Sequence, residues 1–280
     1  MPVSSMRIAA PALAVVWVAV AAAAQAQQPQ PRPQLDVHFV PTPEEVVDRM
    51  LQMAGVTVKD FVIDLGSGDG RIVITAAKKF GAHGMGVDLD PQRIKEANAN
   101  REKAGVADKV EFLQQNLFET DLSKATVLTM YLLPRLNLQL RPTLLDLKPG
   151  TRLASHAFDM GDWRADRHEK IDGRDAYFWL VPAKVNGTWR VEDGDGKFEI
   201  DIAQRYQNFD GVARAGNVTV PLRETSLRGD EIRFVAELEP GKPRAFSGRV
   251  NGDKIEALPA EAGGPQASAA AGWRASRAQQ

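Results

Sequence analysis

Cysteine is absent from this chain of 280 residues, and the absence excludes several kinds of chemistry. A chain without cysteine forms no internal disulfide, offers no thiolate to a metal ion and has no thiol nucleophile. Histidine is scarce as well, because the chain has only 4 histidines, far apart in the sequence. None of them has the short spacing of a metal-ligand pair, so we expect no metal site.

A strong net charge is also missing, since the formal charge at pH 7 is -1. Proteins that hold nucleic acid or anionic lipid by general electrostatics need a basic face. We therefore expect no nucleic-acid partner, although a local basic patch is still compatible with this balance. The 44% of hydrophobic and 25% of charged residues are typical of a globular protein, and the length suffices for two domains.

The first residues have the pattern of a secretory signal peptide. Arg7 precedes an apolar run at residues 8–24, and Ala24-Gln25-Ala26 is a small-x-small cleavage site. We expect cleavage after Ala26 and a periplasmic protein. The run is also close to the shortest length that spans a bilayer, so an uncleaved membrane anchor is the alternative, and the only membrane contact expected. Both interpretations place the remaining chain outside the cytoplasm.

Changes in composition divide the chain into segments. A tract rich in Gln and Pro follows the apolar run and is typical of an extended spacer, whereas the final stretch is rich in Ala, Gly, Ser and Gln. The predicted segments are a signal peptide at 1–26, a linker at 27–36, an α/β domain at 37–183, a β-domain at 186–259 and a disordered tail at 260–280.

In the first of these domains, short apolar strands alternate with helical stretches. Thr42-Pro43-Glu44-Glu45 predicts a capping box, with Thr42 as N-cap of the first helix. Pro142 interrupts the helical pattern of residues 134–147, which predicts a kinked helix or two short ones. The alternation is typical of an α/β fold with a Rossmann-like, mostly parallel sheet and flanking helices. The strands are expected at 61–63, 84–87, 110–113, 126–132, 152–158 and 176–181.

After Pro182 the helical period disappears. Residues 198–202 and 232–238 alternate apolar and polar side chains, and turn signals recur between such segments. The pattern predicts a small all-β antiparallel barrel or sandwich. This domain contains no catalytic constellation, so packing against the first domain and binding of a target or the cell envelope are both open.

The most informative motif is the loop Asp64-Leu65-Gly66-Ser67-Gly68-Asp69-Gly70, which lies between a predicted strand and a predicted helix. Such a loop places backbone N–H groups and a helix N-terminus at the ligand-binding edge of an α/β sheet. A dinucleotide fingerprint would need glycine at the position of Arg71, and no Walker loop is present. The acid at the strand end suits a ligand without phosphates, because a carboxylate would repel a pyrophosphate.

With this loop, and with Asp88 at the end of the second strand, the chain resembles the class I S-adenosylmethionine-dependent methyltransferases over residues 40–182. The resemblance implies S-adenosyl-L-methionine as cofactor, with Asp64 facing its ammonium group, Asp88 its ribose and Leu89 its adenine. Asn116 replaces the family's usual aspartate, and its side-chain oxygen can still accept a hydrogen bond from the adenine amino group. The implied cofactor-binding residues are Thr42, Asp64, Gly66, Ser67, Gly68, Gly70, Asp88, Leu89, Asn116 and Leu117.

Residues 39–43, the loop 64–71 and the short end after the fifth strand are similar to those of the seven-strand lysine methyltransferases related to the ATP synthase c-subunit enzyme. This likeness implies N-methylation of a protein lysine or another amine. It also implies that the segment around Thr42 folds over the cofactor and that Thr42 contacts its carboxylate. A role for Thr42 as a simple N-cap is the alternative.

Methyl transfer to lysine requires alignment, exclusion of water and loss of a proton, because the amine has a pKa of about 10.4. The predicted catalytic residues are Tyr131, His156 as a base and Asp159 to orient the amine, with Trp163 as an aromatic wall for a cation. Tyr131 begins a Tyr-Leu-Leu-Pro sequence where many amino methyltransferases have Asn/Asp-Pro-Pro-Tyr, which disfavours methylation of nucleic-acid bases. Packing roles for Tyr131 and His156 are the alternative.

Two functional hypotheses follow. The first is an exported S-adenosylmethionine-dependent methyltransferase that modifies an amine of a protein or a small molecule. An export signal separates the chain from a cofactor that is made in the cytoplasm, which motivates the second hypothesis. This is an envelope binding protein that retains a pocket for the cofactor or adenosine without turnover. The intact loop and Asp88 argue against a decayed pocket but do not separate the two.

Overall fold

A computed structural model of the protein describes residue 1 and residues 39–194, 196–259 and 268–278. Outside the described residues lie 2–38, with the predicted linker and all of the predicted signal peptide except Met1, and residues 195, 260–267 and 279–280. Met1 belongs to a separate unit, Met1–Arg32, and the description below concerns the unit Pro33–Gln280.

The first region is a sheet of seven strands with helices on its faces, and it confirms the predicted mostly parallel α/β architecture. The helices are α1 (Glu44–Met53), α2 (Arg71–Phe80), α3 (Pro91–Ala104) and α4 (Pro134–Leu145). The strands are β1 (Phe61–Leu65), β2 (His83–Asp88), β3 (Val110–Gln114), β4 (Val127–Met130), β5 (Arg152–His156), β6 (Arg167–Ile171) and β7 (Arg174–Leu180). They lie in the order β3-β2-β1-β4-β5-β7-β6, and only β7 runs antiparallel to its neighbours.

Both faces of the central strands are buried, which explains why these strands are apolar along their whole length. Ile63 and Leu128 pack in the core that contains α4, whereas the preceding residues, Val62 and Val127, pack in the core that contains α1. Successive side chains of a strand point to opposite faces, so one apolar run supplies two cores. The carboxyl ends of β1 to β5 therefore meet at one edge of a rigid sheet.

The helix ends at this edge follow local rules. Asp90 is the N-cap of α3, and its side chain accepts a hydrogen bond from the backbone N of Gln92 at 2.8 Å. Glycines in the left-handed conformation, Gly81 and Gly105, end α2 and α3. The residues next to these helix ends therefore set where α2 ends and where α3 begins and ends.

One helix prediction was wrong. Thr42 does not cap α1, because Pro43 occupies the N-cap position and no side-chain cap is formed. Of the two alternatives for the segment with Pro142, two short helices are excluded, since α4 is one helix with Pro142 inside it. Leu140 and Leu144, on either side of this proline, are buried, and their packing outweighs the missing backbone hydrogen bond.

The hairpin of β6 and β7 contains a strand that the sequence did not predict. Most residues of β6 are charged and partly or fully exposed, so its pattern resembles a polar loop. It forms the edge of the sheet and is held by its pairing with β7, from Arg167 opposite Phe178 to Ile171 opposite Arg174.

The second region is an antiparallel sheet, as predicted, apart from one short parallel pairing of β16 with β14. Its strands are β8 (Gly187–Asp193), β9 (Gly196–Arg205), β10 (Asn208–Ala215), β11 (Val218–Pro221), β12 (Arg223–Arg228), β13 (Glu231–Glu239), β14 (Lys242–Asn251), β15 (Lys254–Ala257), β16 (Ser268–Ala269) and β17 (Arg274–Arg277). The two ends of the strand order, β11 and β12, are separated in the chain only by Leu222. The sheet therefore curves round a single core, which contains Trp189, Phe234 and Phe246.

The predicted disordered tail is wrong for residues 268–278. In that range β17 inserts between β8 and β15, and the Trp273 side chain is 1% exposed in the centre of the β-domain core. The indole N–H of Trp273 donates to the backbone oxygen of Ser247 at 3.0 Å. The composition of this stretch, rich in small residues, gave no sign of β17 or of Trp273, which immediately precedes β17 and completes the core.

Candidate active site

A cavity that opens to solvent lies at the carboxyl ends of β1 to β4, where open α/β sheets bind their ligands. Of the residues predicted to bind the cofactor or the methyl acceptor, those that line it are Thr42, Asp64, Gly66, Ser67, Asp88, Leu89, Asn116, Leu117 and Tyr131.

The glycine loop lies at one wall of this cavity and needs its glycines for two reasons. Gly66, Gly68 and Gly70 have φ angles of 75°, 54° and 81°, a region in which other residues are strained. Space is short as well, because a Cβ on Gly68 would lie 2.2 Å from the Phe39 ring and one on Gly70 would lie 2.4 Å from the Phe112 ring. Gly68 and Gly70 therefore shape the loop without lining the cavity.

Asp64, at the end of β1, is a carboxyl group in an unusual environment. Its side chain is 2% exposed, and Oδ1 accepts a hydrogen bond from the Thr129 hydroxyl of β4 at 2.7 Å. Burial raises the pKa of Asp64 to about 7, and the charges of Asp88 and Asp69 add to this effect, while the Thr129 hydrogen bond opposes it. A cationic ligand group beside Asp64 would stabilise the ionised form.

Asp88, at the end of β2, is bound to the glycine loop itself. Its Oδ2 accepts a hydrogen bond from the backbone N of Gly68 at 2.9 Å, and its Oδ1 accepts one from the backbone N of Asp90 at 2.9 Å. A carboxylate has about four lone-pair sites, so both oxygens can accept further hydrogen bonds from the hydroxyls of a ribose. The same side chain thus holds the loop and faces the cavity.

Asn116 follows β3 and forms part of the wall near Leu89. Its side-chain oxygen accepts from the backbone N of Phe118 at 3.1 Å and so caps a single 3-10 turn at Leu117–Glu119. Its amide nitrogen donates to Glu119 at 3.2 Å. The oxygen has a second lone pair, which is the one available for a hydrogen bond from adenine.

Ser67 has a buried hydroxyl for which the described residues provide no hydrogen-bond partner. Its side chain packs against Gly86 of β2, where a Cβ would lie 2.5 Å away. A buried polar group without a partner is costly, so a ligand that supplies one is favoured here.

The N-terminal segment 39–42 covers the cavity. The Arg71 guanidinium donates to the backbone oxygen of Thr42 at 2.9 Å and is paired with Asp69 of the glycine loop at 2.6 Å. Arg93 lies over the Phe39 ring, with its Cζ 4.8 Å from the ring centroid. Two arginines therefore bind this segment to the loop and to α3.

Tyr131 and His156 are adjacent at the ends of β4 and β5, but only Tyr131 lines the cavity. Their ring centroids are 4.0 Å apart. His156 is 2% exposed, and its Nδ1 lies 3.1 Å from the Thr42 hydroxyl. Burial, with the nearby charge of Arg174, lowers the pKa of His156 to about 4, so the imidazole is neutral at neutral pH. It supports Thr42 and Tyr131 rather than facing the cavity as a base.

Asp159 and Trp163 lie elsewhere than predicted. Asp159 is exposed and does not line the cavity, and its Oδ1 accepts a hydrogen bond from the backbone N of Gly161 at 3.0 Å. The Trp163 ring is fully buried between Trp179 and Tyr206, so it cannot form a wall for a bound cation. The loop packs its tryptophan inward because the neighbouring domain supplies an aromatic partner.

Sequence reasoning missed several lining residues, among them Arg71, Arg93 and Gln115. Arg71 enters the sequence argument only because it replaces a glycine of the dinucleotide motif. Its position two residues after Asp69 could have suggested the ion pair between Arg71 and Asp69. The hydrogen bond from Arg71 to the backbone oxygen of Thr42 could not be predicted, because it depends on the fold. Among the described residues, no group of acids and histidines could hold a metal ion.

These features fit S-adenosyl-L-methionine. Asp64 would offer a buried acid to the ammonium of its methionine part, Asp88 would offer oxygens to the ribose, and Gly66 would let the ligand approach the backbone of the loop. Leu89 and Leu117 line the cavity with the apolar surface that an adenine ring requires. The fold and the site together are those of a class I S-adenosylmethionine-dependent methyltransferase.

Comparison with known proteins supports the same class. The ANTKMT methyltransferase domain family matches residues 64–167. A protein-lysine N-methyltransferase of Saccharolobus islandicus is 49% identical over 138 residues, which are 49% of this chain and 86% of that protein. The ATP synthase c-subunit lysine N-methyltransferase of Homo sapiens is 28% identical, over 52% of this chain and 62% of that protein.

A solved structure also aligns with the chain. It is described as an RNA methyltransferase from Salinibacter ruber in complex with S-adenosyl-L-homocysteine, with 54% identity and a TM-score of 0.51. The alignment covers 52% of this chain and 96% of that one. The chain therefore belongs to the class I S-adenosylmethionine-dependent methyltransferases that carry the ANTKMT methyltransferase domain, and its cofactor is S-adenosyl-L-methionine.

Proposed function

We propose that this protein transfers a methyl group from S-adenosyl-L-methionine to a lysine amine of another protein. The observation that carries the proposal is the cavity itself, with Asp64 and Asp88 at its cofactor side and Tyr131 in its wall at the end of β4. The chain spans 62% of the human relative's length and 86% of the archaeal one, so their activities enter here only as support.

When bound, the cofactor would supply a sulfonium methyl group to the lone pair of a neutral amine, and the electron pair of the broken carbon–sulfur bond would stay on sulfur. The residues of the chain position the reactants and exclude water. Asp64 would hold the charged end of the cofactor, segment 39–42 would cover it, and Leu132 and Leu136 make the wall beside Tyr131 apolar. An apolar wall favours the neutral amine over the ammonium ion, which helps the acceptor to lose its proton.

Tyr131 lines the cavity beside these leucines, and its hydroxyl is the group that we assign to the amine. Its ring is packed against His156 at 4.0 Å and Phe158 at 6.3 Å, so its direction is set by neighbours from β5 and the loop that follows. A hydroxyl accepts a hydrogen bond from an N–H and so directs the lone pair. His156, neutral and buried, is not the base in this proposal.

The relatives' names give two kinds of acceptor, lysine and RNA, and we favour protein lysine. Asp69 and Asp90 in the cavity wall are paired with Arg71 and Arg93, so the cavity wall has no excess of positive charge. Phosphate groups are not attracted to such a site. The sequence also lacks the Asn/Asp-Pro-Pro-Tyr pattern at Tyr131.

A labelling experiment tests the acceptor. The purified protein would be incubated with methyl-labelled S-adenosylmethionine and cell extract, and parallel samples would be treated with ribonuclease or with protease. Label that survives ribonuclease, is lost with protease and is recovered as methyl-lysine after hydrolysis supports the proposal. Label that is lost with ribonuclease would replace lysine by RNA, and no label in any sample would favour the binding protein without turnover.

The variant Tyr131→Phe tests the hydroxyl at the methyl-transfer site. We expect kcat to fall about tenfold, because one hydrogen bond to the acceptor is lost, while the Kd for S-adenosylmethionine changes by less than about twofold. Calorimetry and initial rates would measure both. An unchanged kcat would assign Tyr131 to packing, and a matched loss of cofactor affinity would place its role at the cofactor.

We also propose that the protein is exported with a cleaved signal peptide at residues 1–26. The support is the sequence pattern around Arg7, the apolar run and Ala26. No helix in the described part of the chain is long and apolar enough to cross a membrane. Fractionation of the full-length chain with a C-terminal tag tests the proposal. An intact N-terminus in the cytosol contradicts export, and an intact N-terminus in the membrane indicates an uncleaved anchor.

A further inference from the structure

The loop after β5, residues 157–166, lies behind Tyr131 in the wall of the cavity and contacts it through Phe158, and we call it the acceptor-side loop. It begins with Ala157, whose φ is 66°, and Phe158, whose ring stacks against the Tyr131 ring with centroids 6.3 Å apart. Tyr131 lines the cavity. A shift of this loop would therefore move the aromatic contact that sets the direction of Tyr131.

The methyltransferase region holds this loop at several points. At its far end the backbone N of Asp166 donates to the backbone oxygen of Phe178 at 2.9 Å, and Arg141 of α4 forms an ion pair with Asp162. The buried Asn137 of α4 donates to the backbone oxygens of Phe158 at 3.2 Å and Asp159 at 3.1 Å. Arg141 of α4 donates to the backbone oxygen of Met160 at 2.9 Å. Trp179 of β7 donates to the backbone oxygen of Trp163 at 2.9 Å.

The β-domain adds contacts to the middle of the loop through the turn between β9 and β10, residues 205–207, which we call the β9–β10 turn. Tyr206, with a φ of 56°, stacks its ring on Trp163, with centroids 6.0 Å apart and planes at 18°. Its hydroxyl donates to Asp162 Oδ2 at 3.1 Å, and Arg205 donates to the same oxygen at 3.0 Å. Gln207 donates to the backbone oxygen of Arg164 at 2.7 Å.

These contacts converge on one carboxylate and one ring. Hydrogen bonds from Arg205, Tyr206 and Arg141 lower the pKa of Asp162 to about 2, so the group is ionised at neutral pH. The ion pair with Arg205 is exposed and contributes little, because solvent screens it. The stacking on the fully buried Trp163 is the larger contribution, since it excludes water from two aromatic surfaces. Tyr206 is thus the main contact of the turn.

We propose that the β9–β10 turn braces the acceptor-side loop, so that Tyr206 is a positioning residue for methyl transfer and the β-domain is required for use of the acceptor rather than for binding of the cofactor. The kinetic part of this proposal rests on the proposed function, and the mechanical part does not. The ANTKMT match ends at residue 167, so the proposal assigns a role to a region that the family resemblance does not cover.

Hydrogen exchange of the full-length chain tests the mechanical part. In Tyr206→Ala we expect amides of residues 157–166 to exchange about tenfold faster or more, while those of the glycine loop at 64–70 are unchanged. Tyr206→Phe retains the stacked ring and is expected to lie close to the wild type. Arg190→Ala is the control for a change elsewhere in the β-domain, because Arg190 forms an exposed ion pair with Glu199 within that domain. It should leave the exchange of residues 157–166 unchanged.

Kinetics of the same variants test the positioning role. For Tyr206→Ala, we expect kcat/KM for a protein-lysine acceptor to fall about tenfold to a hundredfold. Its Kd for S-adenosylmethionine should change by less than about twofold. Tyr206→Phe should retain most of the wild-type kcat/KM. Unchanged exchange at 157–166, or an equal loss of cofactor affinity, overturns the proposal. Absence of lysine methylation by the wild type would defeat the proposed function instead, and the exchange result would still decide whether the turn is a brace.

Discussion

The methyltransferase region and the β-domain use their strand ends in different ways. In the first, the carboxyl ends of β1 to β5 lie at one edge of the sheet, and Asp64, Asp88, Tyr131 and His156 all stand there. In the second, neighbouring strands are antiparallel with one short exception, so strand ends alternate between two edges, and the buried residues are aromatic and aliphatic side chains of one core.

The difference shows how sheet topology decides where functional side chains come together. A parallel sheet gathers residues from distant parts of the chain at one edge, which is how four strands contribute to a single cavity. Antiparallel hairpins join neighbours in sequence and favour a continuous core. In the described part of the chain, Tyr206 and the adjacent residues of one turn connect the β-domain to the acceptor-side loop.

The largest expected effect is a loss of stability in the β-domain that leaves cofactor binding by the methyltransferase region unchanged. Trp273→Ala removes a side chain that is 1% exposed, and we expect a loss of about 3–5 kcal/mol in the free energy of unfolding of the β-domain. Cofactor affinity is expected to change by less than about twofold, since the cavity is formed by the methyltransferase region alone. Denaturant titration and calorimetry with S-adenosylmethionine measure the two quantities.

Trp273→Phe is the control for this variant, because it retains most of the apolar volume and loses only the hydrogen bond to Ser247. We expect it to cost clearly less than the alanine variant. A single unfolding transition that abolishes cofactor binding in Trp273→Ala would contradict the division into a binding region and a supporting one.

The next effect concerns the cofactor side of the comparison. Asp64→Asn removes the buried acid and is expected to weaken S-adenosylmethionine binding about a hundredfold, because a charge-assisted contact with the ammonium group is lost. The amide oxygen of the substituted side chain can still accept the Thr129 hydrogen bond, so packing is preserved. Calorimetry measures the loss. An unchanged Kd would show that Asp64 does not face the cofactor's cation.

The pH dependence of the wild type sharpens the same test. The pKa of Asp64 is raised to about 7 in the folded protein, above its ordinary value of 3.8. Its contribution to stability is therefore fully present below the unfolded pKa and is lost as the pH rises through about 7. Without ligand, the stability of Asp64→Asn relative to the wild type should rise between about pH 4 and pH 7 and stay constant above that range, because the buried acid of the wild type resists ionisation over this interval. Cofactor affinity of the wild type should decline below about pH 7, as Asp64 becomes protonated, and that of the variant should not.

The smallest effect tests the loop's shape. In Gly68→Ala the added Cβ would meet the Phe39 ring at 2.2 Å, and φ is 54°, so we expect about tenfold weaker cofactor binding. Gly105→Ala is the matched control, because its φ of 68° is as unfavourable while no atom lies within 4 Å of the added Cβ. Equal Kd values for the two variants would show that general strain, rather than the site, causes the effect.

Much of the first region could be predicted because its signals are local. Capping at Asp90, the glycines that end α2 and α3, and the apolar strands all arise within a few residues. The errors arose where tertiary contacts decided the outcome. Thr42 has the sequence of a cap but bonds to His156, which is 114 residues away, and Trp273 is buried by strands from other parts of the chain.

The residues of the site also fall into a part that was predictable from the sequence and a part that was not. The glycine loop, Asp64 and Asp88 were recognised from spacing, and the structure brings them to one cavity. The acceptor side was less predictable, because the orientation of His156 and Asp159 depends on Ala157, a residue with a positive φ that no sequence pattern marks. Trp163 could not be placed at all without the β-domain, since its partner Tyr206 lies 43 positions further along the chain.

The charged strand β6 has a consequence for association. It ends the seven-stranded sheet, and its Arg167-His168-Glu169-Lys170 sequence places ionisable groups on both faces of that border. Glu169 is also held by Arg49 of α1 at 2.8 Å. A second molecule that extended the sheet here would have to desolvate these groups, a cost that discourages aggregation. A strand that takes no part in catalysis thereby protects the catalytic region from self-association.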